Sequence, residues 1–250
     1  MACEPWWRGT GGRLARGTVR WHAAGMVAVG VDACRQGWIA VCLEAGVPPR
    51  GVFGSTLEDL AADVPRAEGF GVDIPIGLPS HGRRRADVEA RALIGPRRNS
   101  VFFTPVRAAL LAPTHAEASR VSRELTGQGI SRQAYALGPK LLECERWRAQ
   151  APVPVWEVHP EVSFTLLLGA PPRASKKTWD GMVQRRDALA GAGIHLDRLG
   201  PAGRQAAVDD VLDAAVVAWS VRRLLTGGGR SLPDPPEVDP ESRQPMAIWG

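Results

Sequence analysis

Short apolar runs bounded by turn-forming residues predict the strands of this chain. Val27–Val31 is a β-branched run of the length that suits a buried central strand. Trp38–Leu43 is a second apolar run, and Gly37 before it suits a turn, so the two runs are predicted to pair as an antiparallel hairpin. Gly69–Ile74 predicts another buried strand, because Pro75 follows it and cannot extend a strand.

Helical patterns fill most of the remaining chain. Residues 80–150 show no clear strand pattern and are predicted to form a helical insertion on one side of the sheet. Val208–Leu225 predicts a long helix whose apolar residues cover most of its circumference, which indicates burial against the sheet. The shorter predicted elements are a strand at Gly51–Gly54, a helix from Thr56 to about Val64, helices at Arg83–Ile94, Thr114–Thr126 and Ser131–Gln150, a strand at Val153–His159, helices from about Glu161 to Leu168 and from Trp179 to Ala192, and a short edge strand at Met246–Ile248. This order of elements predicts an α/β fold.

Composition divides the chain into an extension and one domain. Residues 1–25 hold three tryptophans among scattered arginine and glycine without periodicity, which predicts a disordered N-terminal extension with no signal-peptide core. Residues 26–250 are predicted to form a single domain. No apolar run approaches the roughly 18 residues of a membrane-spanning helix, so no membrane partner is expected.

Charge and cysteine content narrow the environment and the partner. The formal net charge of +5 permits a polyanionic partner such as nucleic acid. The four cysteines show no metal-type spacing, and a chain of 250 residues needs no disulfides, so a reducing cytoplasm is predicted. The sequence makes no prediction of the oligomeric state.

Acidic residues stand where predicted strands end. Asp32 ends the first strand, Asp73 lies at the end of a later one, and Glu157 lies near the end of a third. An isolated buried carboxylate is costly unless it faces a cation or a hydrogen-bond donor. If the strands are parallel neighbours, their acids emerge at the same sheet edge, where open α/β sheets bind ligands. Glu157 can instead cap the following helix, and His159 beside it is either a ligand or a hydrogen-bonded structural imidazole.

The last helix supplies three more carboxylates. Asp210 and Asp213 stand three residues apart on one face, and Asp209, in the first turn, is expected to cap the helix. Carboxylates without cysteine or several histidines form a hard oxygen site suited to two Mg²⁺ or Mn²⁺ ions. The predicted catalytic residues are Asp32, Asp73, Glu157, Asp210 and Asp213, and the predicted metal ligands among them are Asp32, Asp73, Asp210 and Asp213.

Four segments together resemble a known family. They are V-G-V-D-A-C-R-Q-G-W, V-D-I-P-I-G-L-P, E-V-H-P-E and D-D-V-L-D-A-A. As a set, spread over Val27–Trp249, they resemble a family of predicted RNase H-like nucleases known as domain of unknown function 429. The D-x-x-D-A pattern is also similar to the last helix of RuvC-type Holliday junction resolvases, where the first-strand aspartate and a helical pair hold two metal ions.

The resemblance implies an RNase H-like fold, in which a central mixed sheet opens with an antiparallel hairpin and helices flank it. Asp32, Asp210 and Asp213 match the metal ligands, while Asp73 and Glu157 compete for the remaining acidic position. Further matching pieces are Arg85 with Asp87 and Arg91, Ser100-Val101-Phe102, Arg107, Lys140 and Lys176-Lys177. Ala86 stands where the family is expected to carry a cysteine, so a role for that position is not expected here.

These observations lead to a functional hypothesis with two rivals. The hypothesis is a metal-dependent nuclease acting on DNA or RNA, with phosphates bound by Arg85, Arg91, Arg107, Lys140 and Lys176. Phe102 and Phe103, among the same arginines, either stack on bases or lie in the core. The rivals are a nucleic-acid-binding protein of the same fold without activity, and a phosphotransferase of the actin and sugar-kinase superfamily, which the chain length disfavours.

Overall fold

The structure is a computed structural model that describes residues 25–239, 243 and 245–250. The extension predicted over residues 1–25 lies outside the described residues except for residue 25. The main sheet has the strand order β3-β2-β1-β4-β5. Its strands are β1 (Val27–Cys34), β2 (Gly37–Glu44), β3 (Arg50–Gly54), β4 (Ala67–Val72) and β5 (Val155–Glu157).

Strand directions agree with the prediction. β1 and β2 form an antiparallel hairpin with a two-residue turn at 35–36, and β3 continues this antiparallel arrangement on β2. β4 and β5 run parallel to β1. The result is a mixed sheet that opens with a hairpin, as the predicted RNase H-like fold requires. Asp32 lies two residues before the end of β1, so the strand continues further than the apolar run indicated.

Helices connect and flank the strands. Between β4 and β5 the chain forms helices α2 to α6, which confirms the helical character of this segment. The helices are α1 (Leu57–Ala62), α2 (Arg85–Ile94), α3 (Arg107–Leu110), α4 (His115–Thr126), α5 (Arg132–Ala136), α6 (Gly138–Arg148), α7 (Pro160–Leu168), α8 (Trp179–Gly191) and α9 (Val208–Leu225), with 3₁₀ turns at Gly95–Ser100 and Gly200–Arg204. The single helix predicted at Ser131–Gln150 is divided into α5 and α6, because Pro139 lacks the N–H that would continue α5 and instead begins α6.

Helix α9 packs directly on the central strand β1. Its apolar residues are buried along most of its length, as the sequence predicted. Gly30 permits this contact, because a Cβ atom there would lie 2.1 Å from the backbone nitrogen of Ala218 and 2.2 Å from the carbonyl oxygen of Ala214. Side chains alternate along a strand, so Asp32 points to the same face as Gly30. The packing of α9 on β1 therefore brings Asp32 towards the first turns of α9.

The end of the chain forms a second, smaller sheet. β6 (Ser231–Val238) pairs antiparallel with β7 (Pro245–Trp249). The strand expected at Met246–Ile248 is confirmed, but its partner β6 was not predicted. β6 contains three prolines, which lack the backbone N–H that donates to a neighbouring strand. It therefore pairs with β7 only near its two ends. Ile248 packs with buried residues of α2, which fixes this sheet against the helical insertion.

In the described part of the chain, no helix has the length and apolar character that crossing a lipid bilayer requires.

Candidate metal centre

Three aspartates from separate elements meet at one edge of the main sheet. Asp32 belongs to β1, Asp73 directly follows β4, and Asp213 lies in the second turn of α9. One carboxylate oxygen of each lies within 4.8 Å of one oxygen of the other two. The backbone N–H of Asp73 donates to the carbonyl oxygen of Val31 at 2.8 Å, which ties the end of β4 to β1. The predicted convergence of acids from parallel strands is therefore what the fold produces.

Burial makes this cluster electrostatically strained. Asp32 and Asp213 are 6% and 1% exposed. Burial, followed by the nearby carboxylates of Asp73 and Asp213, raises the pKa of Asp32 well above its usual value. Burial and the charge of Asp213 likewise raise the pKa of Asp73. Burial raises the pKa of Asp213 to about 6, although Lys176 opposes the shift. Ionised together, the three groups repel one another unless a cation lies among them.

The donor set suits a divalent cation. Asp213 Oδ2 accepts from the Lys176 ammonium, while the other oxygen, Oδ1, is buried and has no hydrogen-bond partner. Buried polar atoms normally have a partner, so Oδ1 has an unused bonding capacity that a cation could take up. Octahedral Mg²⁺ at about 2.1 Å from its ligands places their oxygens about 3 to 4.2 Å apart. The aspartate oxygens here lie within 4.8 Å of one another, which is compatible with that spacing. Asp32, Asp73 and Asp213 would hold such an ion.

The other two acids predicted for the last helix have different partners. Asp210 accepts a hydrogen bond from the backbone N–H of Ala207 at 3.2 Å, so it is this residue that caps α9. Asp209, which was expected to be the capping residue, pairs instead with the ammonium of Lys177. The expectation for Asp209 was wrong because the lysine lies within its reach and the third helical position suits capping better. Asp210 lies close enough to raise the pKa of Asp32 but outside the group of three.

Glu157 lies beside the three aspartates in a buried ion-pair cluster. Its oxygens accept from the Arg84 guanidinium at 2.7 and 2.8 Å, and from the backbone N–H of Ile76 at 2.7 Å. Arg84 also pairs with Asp87, whose second oxygen accepts from the backbone N–H of Thr104 at 2.7 Å. This cluster joins α2 to the end of β5. Because both of its oxygens are engaged, Glu157 is placed near the aspartates but not among them.

His159 and Glu161 continue the polar residues after β5. The Nδ1 atom of His159 accepts from the backbone N–H of Glu161 at 3.2 Å, so the imidazole caps α7. Glu161 pairs through Oε1 with the fully buried Arg185 at 2.5 Å, while its Oε2 is buried without a hydrogen-bond partner. His159 is thus a hydrogen-bonded structural imidazole, which was one of the two alternatives that the sequence left open.

A cavity of about 760 Å³ opens over the aspartates. Two of the five predicted phosphate-binding residues, Lys140 and Lys176, line it. Lys140 donates to the carbonyl oxygen of Gly37 at 2.7 Å and lies 4.1 Å from the ring centre of Trp38. Burial lowers the pKa of the Lys140 ammonium, although the nearby carboxylates oppose the shift. Of these two cations, Lys176 contacts Asp213 directly.

The three predicted arginines lie elsewhere. Arg85 is exposed and pairs with Glu89 on α2. Arg91 donates to the carbonyl oxygens of Arg98 and Val101 and lines a neighbouring cavity of about 400 Å³. Arg107 pairs with Glu145 and lines a third cavity, of about 630 Å³. Phe103 is flanked by the guanidinium groups of Arg83 and Arg91 at 4.0 and 4.8 Å, and Phe102 packs against the core.

Sequence reasoning assigned no individual role to several residues of the site. Arg35 and Arg97 line the cavity over the aspartates, and Arg35 is exposed in the β1–β2 turn, three residues after Asp32. Arg35 could have been predicted as a site residue, because it lies close to Asp32 in the sequence. Glu161 and Arg185 had no comparable signal, because a glutamate in the first turn of a helix is common and the pairing depends on the packing of α8 on α7.

The fold and site define a class of α/β protein in which a hairpin-led mixed sheet carries a buried cluster of three aspartates against its last helix. The chain belongs to the family described as proteins of unknown function (DUF429), whose model matches residues 30–238. This confirms the family expected from the sequence motifs, and the family description assigns no activity. No curated protein and no solved structure matches the chain in these comparisons.

Neutralising one aspartate should stabilise the metal-free protein. Folding raises the pKa of Asp73, so its ionised form costs stability as pH rises through and above its unfolded value of about 4. In the presence of EDTA, Asp73→Asn is expected to raise the Tm at pH 7 by roughly 2–4 °C, and to have little effect near pH 4. Thermal unfolding at both pH values measures this.

The matched control is Asp63→Asn, which changes an exposed aspartate at the end of α1. It should leave the Tm unchanged at both pH values. Equal Tm values for Asp73→Asn and the unmodified protein at pH 7 would contradict the expected electrostatic strain.

Proposed function

We propose that this protein is a metal-dependent nuclease that hydrolyses phosphodiester bonds of nucleic acid in the cytoplasm. The observation that carries the proposal is the convergence of Asp32, Asp73 and Asp213, in which the buried Asp213 Oδ1 lacks a hydrogen-bond partner and Asp32 and Asp73 line a cavity that basic side chains also line. Carboxylate oxygens without sulfur or several imidazoles favour Mg²⁺ or Mn²⁺.

The cavity residues have separate roles in this proposal. Mg²⁺ or Mn²⁺ held by the aspartates would supply Lewis-acid stabilisation of the phosphate oxygens. Arg35 and Lys140 are placed to bind phosphates of the strand, because both line the cavity and neither forms an ion pair in the described part of the chain. In the reaction, a water oxygen forms a new bond to phosphorus and releases a proton to solvent, while the bond to the leaving sugar oxygen breaks and that oxygen takes up a proton from solvent.

The acids and the cations favour nucleic acid over a neutral substrate. The formal net charge of the chain is +5, and Lys140, Lys176, Lys177, Arg35 and Arg97 surround the acidic floor. Phosphate contacts by lysine and arginine supply most of the affinity of nucleic-acid binding without sequence preference. DNA and RNA share this chemistry, so both are tested as substrates.

The decisive experiment measures cleavage of labelled single-stranded DNA, duplex DNA, RNA–DNA hybrid and four-way junction in Mn²⁺. Asp32→Asn is expected to lower the rate by about 10³-fold or more, because it removes a carboxylate from the floor of the site. EDTA should abolish cleavage, and Asp63→Asn should preserve it. Cleavage that survives Asp32→Asn would reject the site. Binding of the substrates without cleavage by the unmodified protein would instead favour a nucleic-acid-binding protein of this fold.

A further inference from the structure

Lys176 is held in a defined position beside the three aspartates. Its ammonium contacts Asp213 Oδ2, and about a third of the side chain is exposed. The backbone around it is tied down: the carbonyl oxygen of Ser175 accepts from the N–H and the hydroxyl of Thr178 at 2.9 and 2.8 Å, and that of Ala174 accepts from Arg185 at 3.1 Å. Gly181 is required for this fit, because a Cβ atom there would lie 1.9 Å from the Ser175 oxygen. The lysine is therefore part of the site's construction rather than a freely moving surface cation.

The charges of the cluster match one divalent ion. The carboxylates of Asp32, Asp73 and Asp213 together with the ammonium of Lys176 carry a net charge of minus two when all are ionised. One divalent cation neutralises this charge, whereas two would leave an excess of positive charge in a buried site. Two-metal sites hold their ions about 3.5–4 Å apart, so a second ion next to Asp213 would compete with the ammonium for the same oxygen.

Ligands for a second ion are also scarce. Each of the acids around the three aspartates already uses at least one oxygen in another contact. Asp209 pairs with Lys177, Asp210 caps α9, Glu157 pairs with Arg84, and Glu161 pairs through Oε1 with Arg185 and leaves Oε2 without a partner. With Lys176 in place, a second hydrated cation would meet the neighbouring ammonium and would find carboxylates that are already shared with other partners.

We propose that this site binds a single divalent cation, and that the Lys176 ammonium stands where a second ion would otherwise bind beside Asp213. This replaces the pair of ions expected from the resemblance to resolvases, and it rests on the metal-binding part of the proposed function. Lys176 then serves as the second positive charge that a bridging phosphate meets, next to the ion. Removing the ammonium frees Asp213 Oδ2, and with Glu161 Oε2 it provides two oxygens for another ion.

The test counts Mn²⁺ ions by equilibrium titration with electron paramagnetic resonance, which detects free Mn²⁺ and spin-coupled Mn²⁺ pairs. The unmodified protein is expected to bind one Mn²⁺ per chain. Lys176→Met should bind two, with the signal of a coupled pair, and should cleave nucleic acid about 10²-fold more slowly. The matched control is Lys177→Met, which removes the neighbouring exposed lysine paired with Asp209 and should keep one Mn²⁺ per chain.

Each outcome decides the proposal. Two Mn²⁺ in the unmodified protein overturn it, as does one Mn²⁺ of unchanged affinity in Lys176→Met, and the absence of binding removes the metal site altogether. If Lys176→Met does not fold, the number of Mn²⁺ ions bound per chain is measured for Lys176→Gln and compared with that of the unmodified protein. A change from one ion to two without any cleavage by the unmodified protein would support the single-ion site and reject the nuclease.

Discussion

Arg84→Met is expected to lower the free energy of unfolding by about 3–5 kcal/mol, because it leaves two buried carboxylates without their cation. Arg84 is 1% exposed and pairs with both Asp87 and Glu157, which are themselves 1% and 5% exposed. Burial lowers the pKa of the guanidinium, but the carboxylates of Glu157 and Asp87 raise it further, so the cation is strongly favoured in the folded state. Methionine keeps much of the side-chain volume and removes the charge. Urea unfolding followed by circular dichroism measures the loss.

Two comparisons separate the buried charge from a general effect of losing arginine. Arg85→Met removes the adjacent, exposed arginine and should change stability by less than about 0.5 kcal/mol. Adding Glu157→Gln to Arg84→Met should recover part of the lost stability, since it removes one of the two buried carboxylates that Arg84→Met leaves without a cation. A loss for Arg84→Met no larger than that for Arg85→Met would contradict the account of this cluster.

Gly30→Ala is expected to destabilise the protein by about 3 kcal/mol and to weaken Mn²⁺ binding at the aspartates. The added Cβ would lie 2.1 Å from the nitrogen of Ala218 and 2.2 Å from the oxygen of Ala214, both backbone atoms of α9. Helix backbone cannot rotate away as a side chain can, so α9 must move away from β1. The expected loss of stability is therefore at the upper end of the range that is usual for overpacked cores. The shift moves Asp213 away from Asp32. Urea unfolding and Mn²⁺ titration test the two effects.

Gly191→Ala is the matched control for this substitution. A Cβ atom at Gly191 meets nothing within 4 Å, and this glycine is the last residue of α8. Alanine favours helix over glycine, so the control should be neutral or stabilising by up to about 1 kcal/mol. If Gly30→Ala retains both full stability and unchanged Mn²⁺ affinity, the close contact of α9 with β1 does not position the aspartates.

The two predictions concern different supports of one site. Arg84 joins the helical insertion to the end of β5, and Gly30 allows α9 to approach β1. Asp73 lies between these supports, directly after β4. A protein that keeps a buried group of like charges at such a junction gives up stability there, which is the usual cost of a functional site.

The sequence by itself determined the strands, the hairpin, the buried last helix and the family. These follow from local signals: apolar runs of strand length, proline and glycine at their ends, and a helix that is apolar over most of its surface. It also singled out Asp32, Asp73 and Glu157, because acids at the ends of buried strands are rare without a partner, and it added Asp210 and Asp213 on the last helix. Of these five, Asp32, Asp73 and Asp213 meet in the structure. The break between α5 and α6 and the strand β6 were not predicted, since propensity over such short stretches is weak.

Only the tertiary structure decided which acids meet and which cations neutralise them. Glu157 and Asp73 both end parallel strands, yet Arg84, far from Glu157 in sequence, engages one and not the other. Asp209 and Asp210 are adjacent, but one pairs with Lys177 and the other caps the helix. Such choices depend on distances of a few ångström between elements remote in the chain, and no local pattern encodes them. The close approach of α9 to β1 at Gly30 sets those distances for Asp32 and Asp213.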